Sequence, residues 1–260
     1  MTDWLYTIPE PLVMAWAAAI MIFAIVVLPR IVQRFSFMAP NDFNTDFVLR
    51  VQTTLFTMTS LVLAFTLVQA DRNYRDADAL VQVEASQINN LDRLLTRYGA
   101  PEVAAIRPDL LAYAKSVVKD EWPAMLIDRG SEKTRGLYVP FAQRITAIEP
   151  ATPRQIQIYA EMLKALDVVS ETRDRRLNSL SLGLPQIYWE VVLFSVLMVV
   201  LVSSTIEQTP FRIAVLASQA AVLGAFVGFV FLMDAPFKGT TSVDASSIVQ
   251  TIARMEGRSK

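Results

Sequence analysis

Long uninterrupted apolar runs alternate along this chain with stretches where apolar and charged positions interleave at helical spacing. Four runs, 11–28, 51–70, 187–206 and 213–233, are dominated by Leu, Ile, Val, Met and Phe. Each matches the roughly 17–25 residues an α-helix needs to cross hydrocarbon. Their only charge is Glu190, in the third run. A soluble core would carry polar punctuation far more often. Trp4, Tyr6 and Trp16 near the first run, and Tyr188 and Trp189 opening the third, occupy interfacial belt positions. The first run follows Asp3 and Glu10 instead of a basic start and lacks a small-residue cleavage site, so it is expected to stay as a membrane helix.

After Ala70 no Gly or Pro occurs until Gly99. Over that stretch Leu80, Val83, Ser86/Gln87, Asn90/Leu91 and Leu94 recur at spacings of three and four. One helix is therefore predicted from Val51 to Arg97, roughly 70 Å at 1.5 Å per residue. A second periodic stretch carries Ile156, Tyr159, Met162, Leu163, Leu166, Val169, Leu177 and Leu180, and ends near Gly183 and Pro185. The two stalks are expected to pack together. A shorter helix from Glu102 or Pro108 to Glu121 and a loop-rich turn around 128–140 fall between them. The predicted fold class is an all-α integral membrane protein, with four transmembrane helices and long helices extending into a cytosolic helical domain. Its parts are a first helix pair (1–70), a stalk domain (71–185), a second helix pair (186–236) and a cytosolic tail (237–260).

Composition agrees: 53% of residues are hydrophobic, 19% are charged and mean hydropathy is +0.37. The absence of Cys and His removes disulfides, thiolate chemistry, imidazole acid–base catalysis and the usual zinc ligands. No Gly-rich phosphate loop, metal-ligand cluster or nucleophile elbow is present. No catalytic residue, metal or cofactor is therefore expected, and the chain does not read as an enzyme. A net charge of −1 without a basic run makes nucleic acid an unexpected partner. Between Asp71 and Arg176 there are 16 basic and 16 acidic residues, mostly a solvated face. Nine basic residues flank the insertion or lie in the tail, against Arg30, Arg34, Arg50 and Arg212 on the other side. That count puts the termini and the insertion in the cytoplasm, although the asymmetry around the first helix argues the reverse.

Two patterns bear on function. The second span alone is rich in hydroxyls, and Thr53, Thr57 and Ser60 share a face continued by Ala64 and Leu67. They could line a pore, with Phe56 or Phe65 as an apolar constriction, if several subunits surround an axis. The other reading is that the threonines bond back to their own helix or join neighbouring helices. Beyond the span, Arg72, Arg75, Arg173, Arg175 and Arg176 could form a basic vestibule. Alternatively they pair with Asp71, Asp76, Asp78, Glu171 and Asp174. Glu190 is a candidate pH sensor or cation ligand, or a hydrogen-bonded structural group at the interface. Ala217, Ala221, Gly224, Ala225 and Gly228 form small-residue ridges suited to close helix packing. Asp234 either caps the turn after the fourth span or meets an arginine of the stalks.

Three stretches carry a family resemblance: the exit from the second span with Phe65, Arg72, Tyr74, Arg75, Glu84 and Ala85; Glu171, Arg173, Arg176 and Leu177 followed by LPQIYW; and Asp234, Pro236, Phe237, Gly239 and Val243 in LMDAPFKGTTSV. Together they resemble a bacterial membrane family named bestrophin-like. The resemblance implies a homo-oligomeric channel of the bacterial inner membrane, conducting inorganic anions such as chloride, with five subunits. The competing reading is a non-conducting oligomeric scaffold whose stalks bind a soluble partner.

Overall fold

The computed structural model describes residues 6, 8–33, 42–180, 183–239 and 242–258, with side chains omitted at 42–44. Trp4, Arg34 and Lys260, used above for belt and charge placement, lie outside them. The helices are α1 (Glu10–Val32), α2 (Asp42–Arg97), α3 (Pro101–Ala104), α4 (Arg107–Ser116), α5 (Trp122–Met125), α6 (Glu132–Thr146), α7 (Pro153–Ser179), α8 (Gln186–Ser203), α9 (Pro210–Met233) and α10 (Ser246–Gly257). A π-helical turn, Val117–Glu121, joins α4 to α5. Helices α1, α2, α8 and α9 are long and apolar enough to cross a membrane.

The chain divides into two compact units: residues 1–73, 183–235 and 239–241 form one, and 74–182, 236–238 and 242–260 the other. In the first, α1 packs against α9 where Gly224 and Gly228 remove side-chain bulk. A Cβ on Gly224 would lie 2.6 Å from the Ala17 carbonyl oxygen and 2.7 Å from Ala18 Cα. Elsewhere Met21, Ile25, Leu63, Val192, Val199, Leu216, Ala220 and Leu223 form the membrane unit's core. Its outside keeps large apolar groups exposed, among them Trp16, Phe23, Leu193 and Phe211, as lipid contact requires. Gln52 crosses the interior by donating to Ser203 Oγ at 2.7 Å.

The second unit has a single core drawn from α2, α4, the π turn, α5, α6, α7, the segment around Phe237 and Val243, and α10. The tail is therefore part of that unit: Val243, Ile248, Thr251 and Met255 are buried, and Thr251 Oγ1 donates to the Ala85 carbonyl at 3.2 Å. Helix α2 reaches Arg97 as expected and turns at Gly99, whose φ of +84° suits only glycine readily. Its buried stripe is nevertheless shifted from the predicted one. It runs through Ala77, Val81, Glu84, Ala85, Ile88, Leu91, Asp92 and Leu95, while Val83 is 42% exposed. Small alanines and paired acids, discounted in a hydrophobic reading, alternate on this face with Val81, Ile88, Leu91 and Leu95.

The turn expected at 128–140 is instead largely helix α6. Ser131 caps it by accepting from Thr134 N at 3.3 Å. Pro140 and Gly136 stand four residues apart, so the missing N–H and the glycine weaken one and the same helical bond. Burial of Thr134, Phe141 and Ile145 holds the helix across that defect. Helix α7 opens with a full capping box between Thr152 and Gln155.

Candidate functional site

On the membrane part of α2 the side chains sort into three strips. Gln52, Thr59, Leu63, Thr66 and Ala70 are buried within the unit. Met58, Leu61, Phe65 and Val68 form an exposed strip of large apolar groups, between 50% and 65% accessible, which the exposed Thr54 joins one turn before Met58, its Oγ1 donating to the Arg50 carbonyl at 3.0 Å. Thr53, Thr57 and Ala64 are also exposed, about 130° round from the buried face and bordering the apolar strip, with Ser60 and Phe56 half-buried on their other side. The predicted pore-lining residues thus share one face, except that Phe56 and Ser60 lean towards the packed side. Thr53 Oγ1 donates to the Leu49 carbonyl and Thr57 Oγ1 to that of Thr53, both at 2.9 Å. Their donors are satisfied within the helix, while hydroxyl lone pairs still point outward. Farther along α2, Arg72 and Arg75 are exposed.

Arg173 and Arg176 are elsewhere. The expectation that they present charge at a pore mouth is corrected by their burial at the centre of the second unit. Arg176 is fully inaccessible and binds two carboxylates. Its Nε donates to Glu84 Oε2 at 2.8 Å, and its Nη2 to Glu84 Oε1 at 3.1 Å and Glu121 Oε2 at 2.8 Å. Trp122 lies under its guanidinium, 5.2 Å from Cζ to the ring centroid. Arg173 grips the other side of Glu121, its Nε 3.2 Å from both carboxylate oxygens. The partners are therefore Glu84 and Glu121, not the exposed acids nearest in sequence; of those, Glu171 pairs with Arg175.

Two positive and two negative groups balance, so the cluster keeps its charges without a net field. Burial works against ionised Glu121, but the hydrogen bonds from Arg173 and the charge of Arg176 outweigh it and hold this carboxyl below its ordinary value. Burial likewise opposes the charge on Arg176, and Glu84 more than offsets it. Tyr113, whose hydroxyl meets Glu84 at 3.2 Å, is pushed well above the usual phenol range by burial and then by that carboxylate. The π turn is what places Glu121 inward, since one extra residue per turn rotates the side chain relative to a regular helix. Neither Glu121 nor the turn was visible as a signal in the sequence.

The motif after the fourth span divides its work. Asp234 takes neither predicted partner; it accepts from the Leu184 backbone N–H and from Trp189 Nε1, the latter at 3.1 Å, tying the start of α8 to the end of α9. Trp189 packs edge-on against Phe231 at 6.3 Å. In the second unit, the Pro236 carbonyl accepts from Val243 N at 2.8 Å, and buried Phe237 meets Trp122 edge-on at 6.0 Å. Gly239 has a φ of +90°, which explains the glycine. Tyr74 packs at the margin of the second unit's core. Glu190 is exposed on α8 and accepts from Gln186 one turn earlier, at 2.9 Å. Among the described residues, no group of three acidic side chains converges as a metal site needs.

Fold and site define a multi-pass helical membrane protein with an all-helical second unit pinned by buried arginine–glutamate pairs. The chain belongs to the Bestrophin-like family, whose domain matches residues 17–248. No curated protein matches it. Among solved structures, a bacterial bestrophin homolog from Klebsiella pneumoniae superposes with a TM-score of 0.67 at 14% identity, covering 95% of this chain and 98% of the homolog. A point variant of that homolog gives 0.68 at 13% identity, over 94% and 99% of the two chains. At such identity the likeness speaks for the fold.

Proposed function

We propose that this protein is a homo-oligomeric ion channel whose pore runs along α2. The observation that carries the reading is the gathering of small and hydroxylated residues along one edge of the exposed half of α2, beside a strip of large apolar groups interrupted by Thr54. Met58, Leu61, Phe65 and Val68 suit lipid. Thr53, Thr57 and Ala64 are small or hydroxylated and left uncovered by their own chain. A hydroxyl strip gains nothing from hydrocarbon contact, whereas around a symmetry axis it would face water and its lone pairs would meet a passing ion. Family membership supports channel function and self-association. Conduction of anions such as chloride, assembly as a pentamer and a cytoplasmic position for the second unit and termini in the bacterial inner membrane belong to this proposal. Of the four vestibule arginines, the exposed Arg72 and Arg75 are the ones to which the anion preference is assigned.

The test is ion flux by purified protein in liposomes, under opposed chloride and sodium gradients. Thr57→Trp should abolish flux by filling the strip. Arg72→Glu with Arg75→Glu should move the reversal potential towards the cation. Flux unaffected by Thr57→Trp would overturn the assignment of α2. No flux above empty liposomes, at any pH or calcium level tried, would leave the scaffold reading, which the back-bonded hydroxyls of Thr53 and Thr57 favour.

A further inference from the structure

A cleft of about 450 Å³ opens in the second unit between the end of α2, the α3–α4 corner and α10, lined by Asp92, Ala104, Arg107, Pro108, Leu111, Met255 and Arg258. This is within the range of small-molecule sites. Its polar end has an unusual charge balance. Asp92, with a side chain only 1% accessible, receives two arginines. Arg107 approaches with Nε at 2.8 Å and Nη2 at 3.3 Å. Arg258 approaches with Nε at 2.8 Å, and its Nη2 also donates to Asn89 Oδ1 at 2.6 Å. One carboxylate against two guanidiniums leaves one positive charge over. Neither Nη1, with its two N–H donors, is used by Asp92 or Asn89. The remaining walls, Ala104, Pro108, Leu111 and Met255, are hydrocarbon or thioether.

We propose that this cleft binds a small organic monocarboxylate. The anionic head would take the unused donors of Arg107 and Arg258, and an apolar body of aromatic-ring size would lie against Pro108, Leu111 and Met255. Three observations select that class. The single surplus charge matches a monoanion better than a multiply charged phosphate, since only the former leaves the site neutral. The Arg107 and Arg258 side chains are 17% and 34% accessible, reachable yet partly desolvated, where a charge-assisted bond is stronger than in open water. The apolar walls would add area-dependent affinity that a bare inorganic ion cannot collect. Occupancy would link the end of α2 to α10, so the ligand should stabilise the docking of the C-terminal helix.

The experiment uses the full chain in detergent at constant ionic strength. Benzoate, inorganic phosphate, acetate and benzyl alcohol are compared by titration calorimetry and by amide hydrogen exchange in α10. Benzoate should bind saturably and slow exchange in α10. Acetate should bind about tenfold or more weakly for want of a body, and benzyl alcohol should not bind for want of charge. Ala104→Trp, at an exposed position that leaves both arginines in place, should fill the cleft and abolish benzoate binding. Arg258→Gln should weaken it about tenfold or more. Phosphate or benzyl alcohol binding as well as benzoate would overturn the proposal. So would benzoate binding unchanged in Ala104→Trp, and that variant decides the matter should Arg258→Gln fail to fold.

Discussion

Replacing Arg176 by methionine keeps most of the apolar stem of the side chain and deletes the guanidinium with its charge. In the wild type that charge is fully buried and contacts Glu84 twice, Glu121 once and the face of Trp122. After the change Glu121 retains Arg173, but Glu84, itself inaccessible, keeps only the hydroxyl of Tyr113. An uncompensated buried carboxylate is the costly product, and breaking such a pair from one side costs about 3–5 kcal/mol. Combining Arg176→Met with Glu84→Gln removes the orphan, and the double variant should recover about half of that loss, a coupling well outside additivity. Hydrogen exchange of core amides in 74–182, measured on the detergent-solubilised full chain, reads the stability of the second unit. Protection should drop by about two to four orders of magnitude in the single variant. A single-variant loss under about 1 kcal/mol, or a double variant equal to the sum of its parts, would refute the view that these charges hold the core as a pair.

Three further outcomes follow from the same contacts. Gly224→Ala should lower the melting temperature sharply, because the added methyl meets the α1 backbone at Ala17 and Ala18, whereas Gly136→Ala, with open space around it, should stabilise α6 by about 0.5–1 kcal/mol; equal effects would contradict the packing of α1 on α9. Asp234→Ala should cost about 1–3 kcal/mol by stranding the Leu184 N–H and the Trp189 indole, with a shift in tryptophan emission as the readout. Because Glu121 is depressed in the fold, its share of stability is complete above the ordinary carboxylate range and is lost as pH falls through the lowered value. Acid should therefore destabilise the second unit, and Glu121→Gln should flatten that acid limb; an unchanged limb would exclude Glu121 as its source.

The four spans were legible because hydrocarbon demands long apolar runs and nothing else in a chain of this kind supplies them. The reach of α2 to Arg97 was legible for a similar reason: no helix breaker stands before Gly99. Helix α6 was hidden because Gly136 and Pro140 each argue locally for a turn, and only the burial of Phe141 and Ile145 overrides them. The hydroxyl strip of α2 could be placed on a face, but which faces its own chain would cover could not be read from one helix.

The stalk charges are the instructive failure. Counted as a well-mixed population, Glu84, Arg173 and Arg176 look like solvated surface or a vestibule. Their register says otherwise. Glu84 sits between Val81 and Ile88 at spacings of three and four, and Arg173 and Arg176 continue the stripe Met162, Leu166 and Val169 of α7. A lone charge in phase with a buried stripe would be prohibitively costly, so opposite charges in phase on two helices imply each other. Asp92 obeys the same rule on α2, between Ile88 and Leu95, and its partners Arg107 and Arg258 come from α4 and the end of the tail. The rule names which charges are inside and leaves their partners to the fold, since Glu121 reaches the cluster only through a π turn that no periodicity announces. Residues in phase with the core are thus withdrawn from any pore electrostatics, whereas Arg72 and Arg75 lie out of phase with the buried stripe, as the proposed vestibule requires.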